Sequence, residues 1–520
     1  MRARRLPRLR SSVRPFLLLL VVLVVQGCGT GPRQVEKTVS VAPADTGTTF
    51  LARRADSLGN PHDGRSGFYL LNNGIEALAA RLMLSERAER TIDAQYYLVH
   101  NDAAGQLFAG QLLDAADRGV RVRLLIDDMD TSGYDDMTAA LTRHPNIEIR
   151  LFNPFRRGPG KMIASLFEFN RINRRMHNKS MTFDNQVTIV GGRNIGDEYF
   201  AAHEDSNYDD LDVLGVGPIA QEVSRTFDEY WNSPYAVPAS AVVRDKDGDL
   251  SLDEARERLS ALVESARQTE YGEALTHGIR GAVDSGTITL DWVPAKVFAD
   301  PPQKAAGETE ESEILISEMA PFVRSAQNEL VVSSAYFVPG PRGTAFLTGL
   351  AEKGVNVRIL TNSLDSTDVE PVHGHYARYR EELLGAGVEL WELRPDNERP
   401  DRDWIGLGHS LSGLHTKAFA IDRRYLFVGS FNWDPRSANI NTEMGILLDA
   451  PAFAQEAVRG LHEKLPRAAY RLHLNEDGKI EWLARREDGV WVAYGSEPSD
   501  SGWRRFRTNV YGILPIGGQL

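Results

Sequence analysis

The sequence predicts an α/β protein of two homologous halves, about 66–235 and 310–465, and three observations carry that prediction. Gly119-Val-Arg-Val-Arg-Leu-Leu-Ile126 recurs as Gly354-Val-Asn-Val-Arg-Ile-Leu-Thr361. Each copy follows a stretch with helical spacing, Leu107 to Arg118 and Thr344 to Lys353, which itself follows an apolar run with a paired aromatic, Ile92 to Tyr97 and Leu330 to Phe337. Strand, helix, strand thus occurs twice, and a crossover of that length joins parallel strands. Each half then adds a strand-rich block, His177 to Gly191 and His415 to Gly429.

The ends and the middle are different in character. Arg2, Arg4, Arg5, Arg8, Arg10 and Arg14 precede an apolar run, Phe16 to Val25. That run is shorter than the ~20 residues of a transmembrane helix and reads as a signal peptide over 1–27. It leads through Val25-Gln-Gly to Cys28, the only cysteine, in a pattern that resembles a bacterial lipoprotein signal. Such a signal implies acylation at Cys28 and anchoring in the cell envelope. Gly29, in place of an acid, points to the periplasmic face of the outer membrane. One cysteine also excludes an internal disulfide. Residues 28–65 are polar and read as a tether.

Residues 236–309 read as an insertion or linker, with a charged helical run from Asp253 to Arg267. Within it Asp245-Lys-Asp-Gly-Asp249 looks like a calcium loop, but the register that suits Gly248 and Glu254 puts Val243 at the first ligand position. An acidic turn before a helix is expected instead. Residues 466–520 form short strands around Asn475–Gly478 and Glu487–Gly489, then Trp503-Arg-Arg-Phe-Arg507 and an apolar end. They read as an appendix packed on the second half or a basic amphipathic segment that touches lipid.

The chemistry lies in a string that occurs twice. His177-Asn-Lys179-Ser-Met-Thr-Phe-Asp184 is followed, after six residues, by Gly191-Gly192-Arg-Asn194; His415-Thr-Lys417-Ala-Phe-Ala-Ile-Asp422 is followed, after six, by Gly429-Ser430-Phe-Asn432. On a strand, His and Lys two apart share a face. An imidazole attacks phosphorus or moves protons near neutral pH, and an ammonium neutralises phosphoryl oxygens. Two copies facing each other place a histidine on each side of phosphorus, as in-line displacement requires, so the site is expected on a pseudo-twofold interface between the halves.

The two strings resemble the paired HKD motifs of the phospholipase D superfamily, over about 66–520. Gln95-Tyr-Tyr97, Asp127-Asp128, Arg150-Leu-Phe-Asn-Pro154, Asn173-Arg-Arg-Met-His177 and Gly191 to Phe200 resemble its bacterial cardiolipin synthase C-like branch. The resemblance implies two α/β/α domains, each with a mixed, mostly parallel sheet flanked by helices. It implies that His177 forms a covalent phosphohistidine and that His415 protonates the leaving alcohol and activates the incoming one. By the same resemblance Lys179, Lys417, Asn194 and Asn432 hold phosphoryl oxygens beside Gly192 and Ser430. Asp184 and Asp422 complete the motifs and are counted with the catalytic residues, although the resemblance often makes them structural, and Asp210 and Glu443 are the candidates for orienting the histidines. Gly192, where Ser is frequent, leaves the phosphate site asymmetric.

No cofactor or catalytic metal is expected, because His373, His375 and His409 belong to no complete ligand pattern. His373 either reaches substrate or sits at a helix start. Phe155 to Arg175 is basic and apolar together, which suits an anionic phospholipid membrane and a phospholipid substrate. The net charge of −13 argues against nucleic acid. The expected activity is phosphatidyl transfer, with hydrolysis or a nuclease-type phosphodiesterase as the alternatives; nothing points to a particular partner protein.

Overall fold

The computed structural model describes residues 36–131, 133–155, 157, 168–200, 206–243, 250–267, 280–281, 283, 287–395 and 411–520. Cys28, the Asp245–Asp249 turn, His409 and most of the basic run after Arg157 lie outside them.

The chain forms two α/β halves, each built on one mixed sheet. The first sheet contains β1 (Ser66–Leu71), β2 (Thr91–Tyr96), β3 (Arg121–Asp127), β4 (Ile147–Phe152), β5 (Ser180–Phe183), β6 (Val187–Gly191), β8 (Asp212–Val216), β9 (Ala236–Pro238) and β10 (Asp291–Val293), in the order β10-β1-β8-β6-β5-β2-β3-β4-β9. The second contains β11 (Ala295–Ala299), β12 (Glu329–Ser334), β13 (Asn356–Asn362), β14 (Glu389–Leu393), β16 (Lys417–Ile421), β17 (Tyr425–Gly429), β18 (Met444–Asp449), β19 (Ala469–Leu474), β20 (Ile480–Arg485) and β21 (Trp491–Tyr494). Its order is β11-β18-β17-β16-β12-β13-β14-β19-β20-β21. A short parallel pair, β7 (Ser206–Asp209) with β15 (Leu411–Leu414), joins the halves.

The repeat is where the sequence places it. α1 (Ala103–Asp117) carries the chain from β2 to β3, and α2 (Gly340–Glu352) from β12 to β13. These strands pair in parallel, Ile92 beside Val122 and Leu330 beside Val357. The expectation of mostly parallel sheets is corrected. Only β2-β3-β4 and β12-β13-β14 are parallel. The strand-rich blocks return through three-residue turns, which permit only antiparallel pairing.

Those turns explain the aspartate of each motif. Asp184 and Asn185, like Asp422 and Arg423, have positive φ, between 50° and 55°, in the tight turn from β5 to β6 or from β16 to β17. The carboxylate then reaches back across the sheet. Asp184 accepts from the backbone N–H groups of Glu89, Arg90 and Thr91, and Asp422 from those of Gln327, Asn328 and Glu329. Both aspartates lie at the far end of the motif strands, so their assignment as catalytic residues is corrected to a structural one.

Three expected boundaries also change. Residues 36–65 are not a free tether: Lys37 donates to the carbonyls of Ser233 and Ala236, and Arg123 and Arg150 donate to the carbonyls of Ser40 and Thr38 at 2.9 and 2.7 Å. The segment docks because its backbone carbonyls satisfy buried guanidinium groups. The 236–309 insertion is woven into both sheets, since β9 pairs with β4, β10 with β1 and β11 with β18. Residues 466–520 join the second half through its sheet: β19, β20 and β21 extend it beyond β14. After them α4 (Gly502–Ile513) packs on α3 (Glu370–Ala377).

Between the halves the sheets bury an apolar face. Phe68, Val190 and Val213 pack with Val428, Met444 and Ile446. This face sets one half against the other along the strands that lead to the motifs.

Replacing Asp184 by Ala leaves three N–H groups at the edge of the core without their acceptor. The expected loss is about 2–4 kcal/mol, read as a lower urea midpoint, with unchanged turnover per folded molecule. Turnover abolished at unchanged stability would contradict the structural assignment.

Candidate active site

The two motifs meet at the interface, and the meeting is built by backbone. His177 N–H donates to Thr442 O at 2.8 Å, and His415 N–H to Asp209 O at 2.9 Å. Each histidine is thus pinned to the opposite half. Asp127 steadies the approach to His177: it accepts from Met176 N–H at 2.8 Å and pairs with Arg175 at 3.0 Å.

The acids that orient the histidines are crossed between halves. His177 Nδ1 lies 2.9 Å from Glu443 Oε2, and His415 Nδ1 lies 2.5 Å from Asp210 Oδ2. A carboxylate at Nδ1 takes the N–H there and leaves Nε2 as the nitrogen for phosphorus. The sequence marks both acids but not which histidine each serves; sequence order gives no sign of the crossing.

Lys179 and Lys417 donate to the carbonyls of their own His177 and His415. Both ammonium groups are buried, as are both imidazoles. Tyr97 meets the His177 ring edge-on with centroids 5.0 Å apart, and Tyr199 and Tyr208 each stand 5.1 Å from His415. These aromatic walls exclude water and were not assigned from the sequence, because a tyrosine in a strand reads as core.

Gly192 and Ser430, expected beside the phosphate, touch the two acids. A Cβ on Gly192 would fall 2.2 Å from Asp210 Oδ1, so Asp210 occupies the space where a side chain would stand. Ser430 donates its hydroxyl to Glu443. The asparagines are also committed. Asn194 accepts from Leu98 N–H at 3.3 Å and donates to the Tyr199 hydroxyl at 3.0 Å; Asn432 accepts from Tyr336 N–H at 3.4 Å. Asn194 therefore holds the aromatic wall.

Residues outside the motif strings complete the shell. Asp300, from the expected linker, accepts from Glu443 N–H at 2.9 Å and from Lys304 at 2.8 Å. Arg436 bonds Asn173 through its side-chain and backbone oxygens, at 2.9 and 2.6 Å, on the rim. Neither has a sequence signal, since each acts by a position that only folding creates. His373 does not join the site; it bonds Glu497 at 2.7 Å and Arg380 at 2.8 Å. In the basic run, Arg157 pairs with Asp128, Arg171 with Glu168 and Arg175 with Asp127, so these arginines serve the fold. Among the described residues two clusters bring donor atoms close enough for a cation, His100 with Asp102 and Glu198, and His373 with Glu392 and Glu497. Neither contains a motif residue, and Arg380 already lies 2.7 and 2.5 Å from the two acids of the second.

The electrostatics differ between the two sides. Burial, then the charges of Lys179 and Lys417, holds His177 well below its ordinary value. Burial pushes its partner Glu443 up to about 7. Burial and Lys417 also lower His415, but Asp210 opposes them. Burial raises Asp210, yet the charges of His415 and Lys417 outweigh it and leave Asp210 below the usual carboxylate range. Burial lowers both lysines. The cleft therefore favours a neutral His177 and an ionised Asp210 beside His415, and an anion beside the lysines would offset their burial.

A family model described as "Cardiolipin synthase, PLD-like domain" matches residues 83–231 and 319–464. Cardiolipin synthase C of Escherichia coli is 39% identical over 477 residues, covering 90% of this chain and 98% of that protein. An uncharacterized protein of Helicobacter pylori is 31% identical over 504 residues, covering 96% of this chain and 99% of its own. The crystal structure of a phosphatidylserine synthase from Haemophilus influenzae superposes with a TM-score of 0.53 at 16% identity, over 81% of this chain and 92% of that one, a likeness of fold.

Acidification through about pH 7 protonates Glu443 and removes the carboxylate that holds His177 Nδ1–H. kcat/KM is expected to fall along that limb as pH drops. Glu443→Gln should lose the limb and lower kcat by about 10²–10⁴-fold at every pH. A variant that keeps the wild-type acid limb would assign it to another group.

Proposed function

The chain belongs to the cardiolipin synthase group of phospholipase D-like proteins, and from that premise we propose that it is a phosphatidyltransferase that works through a phosphohistidine on His177. One observation carries the assignment of roles: the two crossed carboxylates differ, Glu443 pushed up to about 7 by burial and Asp210 held low by the charges of His415 and Lys417. Neutral His177, with Nδ1 on Glu443, has a free electron pair on Nε2 for attack. His415, against ionised Asp210, is the histidine better able to carry a second proton.

The reaction then balances in two displacements. His177 Nε2 forms a bond to the phosphorus of a donor phospholipid as the bond to the headgroup oxygen breaks, and His415 gives that oxygen its proton. An acceptor hydroxyl next loses its proton to His415 and attacks the same phosphorus, and the P–N bond to His177 breaks. Lys179 and Lys417 neutralise the phosphoryl oxygens in both steps. A phosphatidylglycerol hydroxyl as acceptor gives cardiolipin; water gives phosphatidic acid.

The test is incubation of the purified chain with labelled phosphatidylglycerol, with and without phosphatidylethanolamine, beside a DNA substrate. Labelled cardiolipin is the expected product. His177→Ala should reduce its formation by about 10⁴-fold or more, and His415→Asn should accumulate a phosphatidyl adduct on protein. Inert lipid with cleaved DNA would replace this reading with a nuclease.

We further propose that the chain is a lipoprotein anchored at Cys28 to a bacterial envelope membrane that contains anionic phospholipid, on the outer-membrane periplasmic face. Support comes from the apolar run that ends at the sole cysteine, with Gly29 after it. Labelled palmitate should enter the wild-type chain and be absent from Cys28→Ser; label retained in that variant refutes the anchor.

A further inference from the structure

Helix α4 has one face against the protein and one against solvent, and the outer face is apolar. Thr508 and Gly512 form the inner face. They approach so closely that a Cβ on Gly374 of α3 would fall 2.4 Å from Thr508 O. Trp503, Phe506, Val510 and Ile513 form a single outer stripe, by their three- and four-residue spacing. They are 64%, 56%, 38% and 80% exposed, and the Trp503 and Phe506 rings stack with centroids 5.4 Å apart. Nothing among the described residues covers this stripe. Large apolar side chains aligned on a rigid surface mark a site of contact.

The charge around the stripe identifies the occupant. The helix carries Arg504, Arg505 and Arg507 and no acid, in a chain of net charge −13. Arg504 and Arg507 pair with Glu370. Arg505 donates to the carbonyls of Glu497 and Ser499, and Arg378 to the carbonyl of Gly512, so these bonds set no acid against either guanidinium. Aromatic groups on a helix with arginines on its flank match the boundary between acyl chains and anionic headgroups. The stripe offers roughly 500 Å², short of the ~800 Å² per partner of a stable protein interface.

The helix is also tied to the catalytic rim. Six residues beyond Ile513, Gln519 accepts from Asn173 Nδ2 at 2.6 Å and from Arg436 Nη1 at 3.1 Å, and Leu520 O accepts from Arg436 N–H at 2.8 Å. Arg436 is one of the charges that act on His177.

We propose that the outer face of α4 docks on an anionic bilayer: Trp503, Phe506, Val510 and Ile513 enter the acyl–headgroup boundary, Arg505 meets lipid phosphates, and the tail to Arg436 holds the catalytic rim near that surface. The choice of a bilayer as occupant rests on the phosphatidyltransferase reading above.

The test uses the full chain with vesicles of phosphatidylethanolamine and phosphatidylglycerol that carry bromine on their acyl chains. The chain has eight tryptophans, so the difference between wild type and Trp503→Phe isolates one of them. Bromine should quench a component of the wild-type emission that Trp503→Phe lacks. Equal quenching of the two proteins overturns the proposal. Phe506→Glu with Ile513→Glu should lower kcat/KM on vesicles by about tenfold and leave turnover of short-chain monomeric phosphatidylglycerol unchanged. An equal loss on both substrates overturns it in favour of a structural role. Cross-linking of two copies through position 503 without bromine quenching assigns the face to a second copy instead. Quenching in a chain inert on every lipid refutes the transferase reading and leaves the docking surface standing; transfer without Trp503 quenching does the reverse.

Discussion

The crossed pairs His177–Glu443 and His415–Asp210 are the constraint on which the rest of the structure depends. Neither half holds a complete histidine–carboxylate unit, so neither half alone can orient its own imidazole by this route. The two sheets must therefore pack in one register. The means are visible along the interface: the β7–β15 pair, the bonds from His177 to Thr442 and from His415 to Asp209, and the apolar face of Val190, Val428 and Ile446. A shift of one half would break both pairs together, because side chains a strand apart cannot follow it.

Burial gives these pairs their chemical meaning. Two lysines, two histidines and two acids share a cleft in which every one of them is buried. Burial disfavours the charge of both lysines, and a phosphate would offset that cost with the donors already in place. The acids answer to this field in opposite ways. Asp210 faces His415 and Lys417 and stays ionised, whereas burial dominates at Glu443. Two motifs of identical spacing thus stand in unlike surroundings, as the proposed division into a nucleophile side and an acid–base side requires.

The sequence made the repeat, the motif strands and the helices between them legible, since each is a local pattern in the chain. The same reading located Asp210 and Glu443 as acids, but pairing across an interface has no one-dimensional trace. Asp184 and Asp422 belong to the motif by spacing, yet their work is to turn a hairpin and tie it to a neighbouring strand. Asp300 lies in the 236–309 stretch that reads as an insertion or linker, and only the crossing from β10 to β11 brings it under Glu443. Strands β19 to β21 read as an appendix because short alternating strands carry no mark of the sheet they extend. The docked segment 36–65 misled for a related reason: its partners are buried arginines, and a polar segment that satisfies them has the composition of a tether.

The differences between the halves are coupled rather than independent. Beside the shorter acid, Asp210, stands Gly192, and the Asp210 carboxylate fills the space that a Cβ would need. Beside the longer acid, Glu443, stands Ser430, whose hydroxyl bonds the carboxylate. Each turn residue therefore suits the acid it touches, and each acid serves the histidine of the opposite motif. A serine at 192 would collide with Asp210, and a glycine at 430 would take one donor from Glu443, leaving that of His177, in a buried setting that already disfavours its charge. In each half the turn residue and the acid thus form a matched couple, and through the crossing each couple sets the state of the other half's histidine. The asymmetry that the sequence shows as Gly against Ser is, in the fold, the means by which one duplicated motif carries two roles.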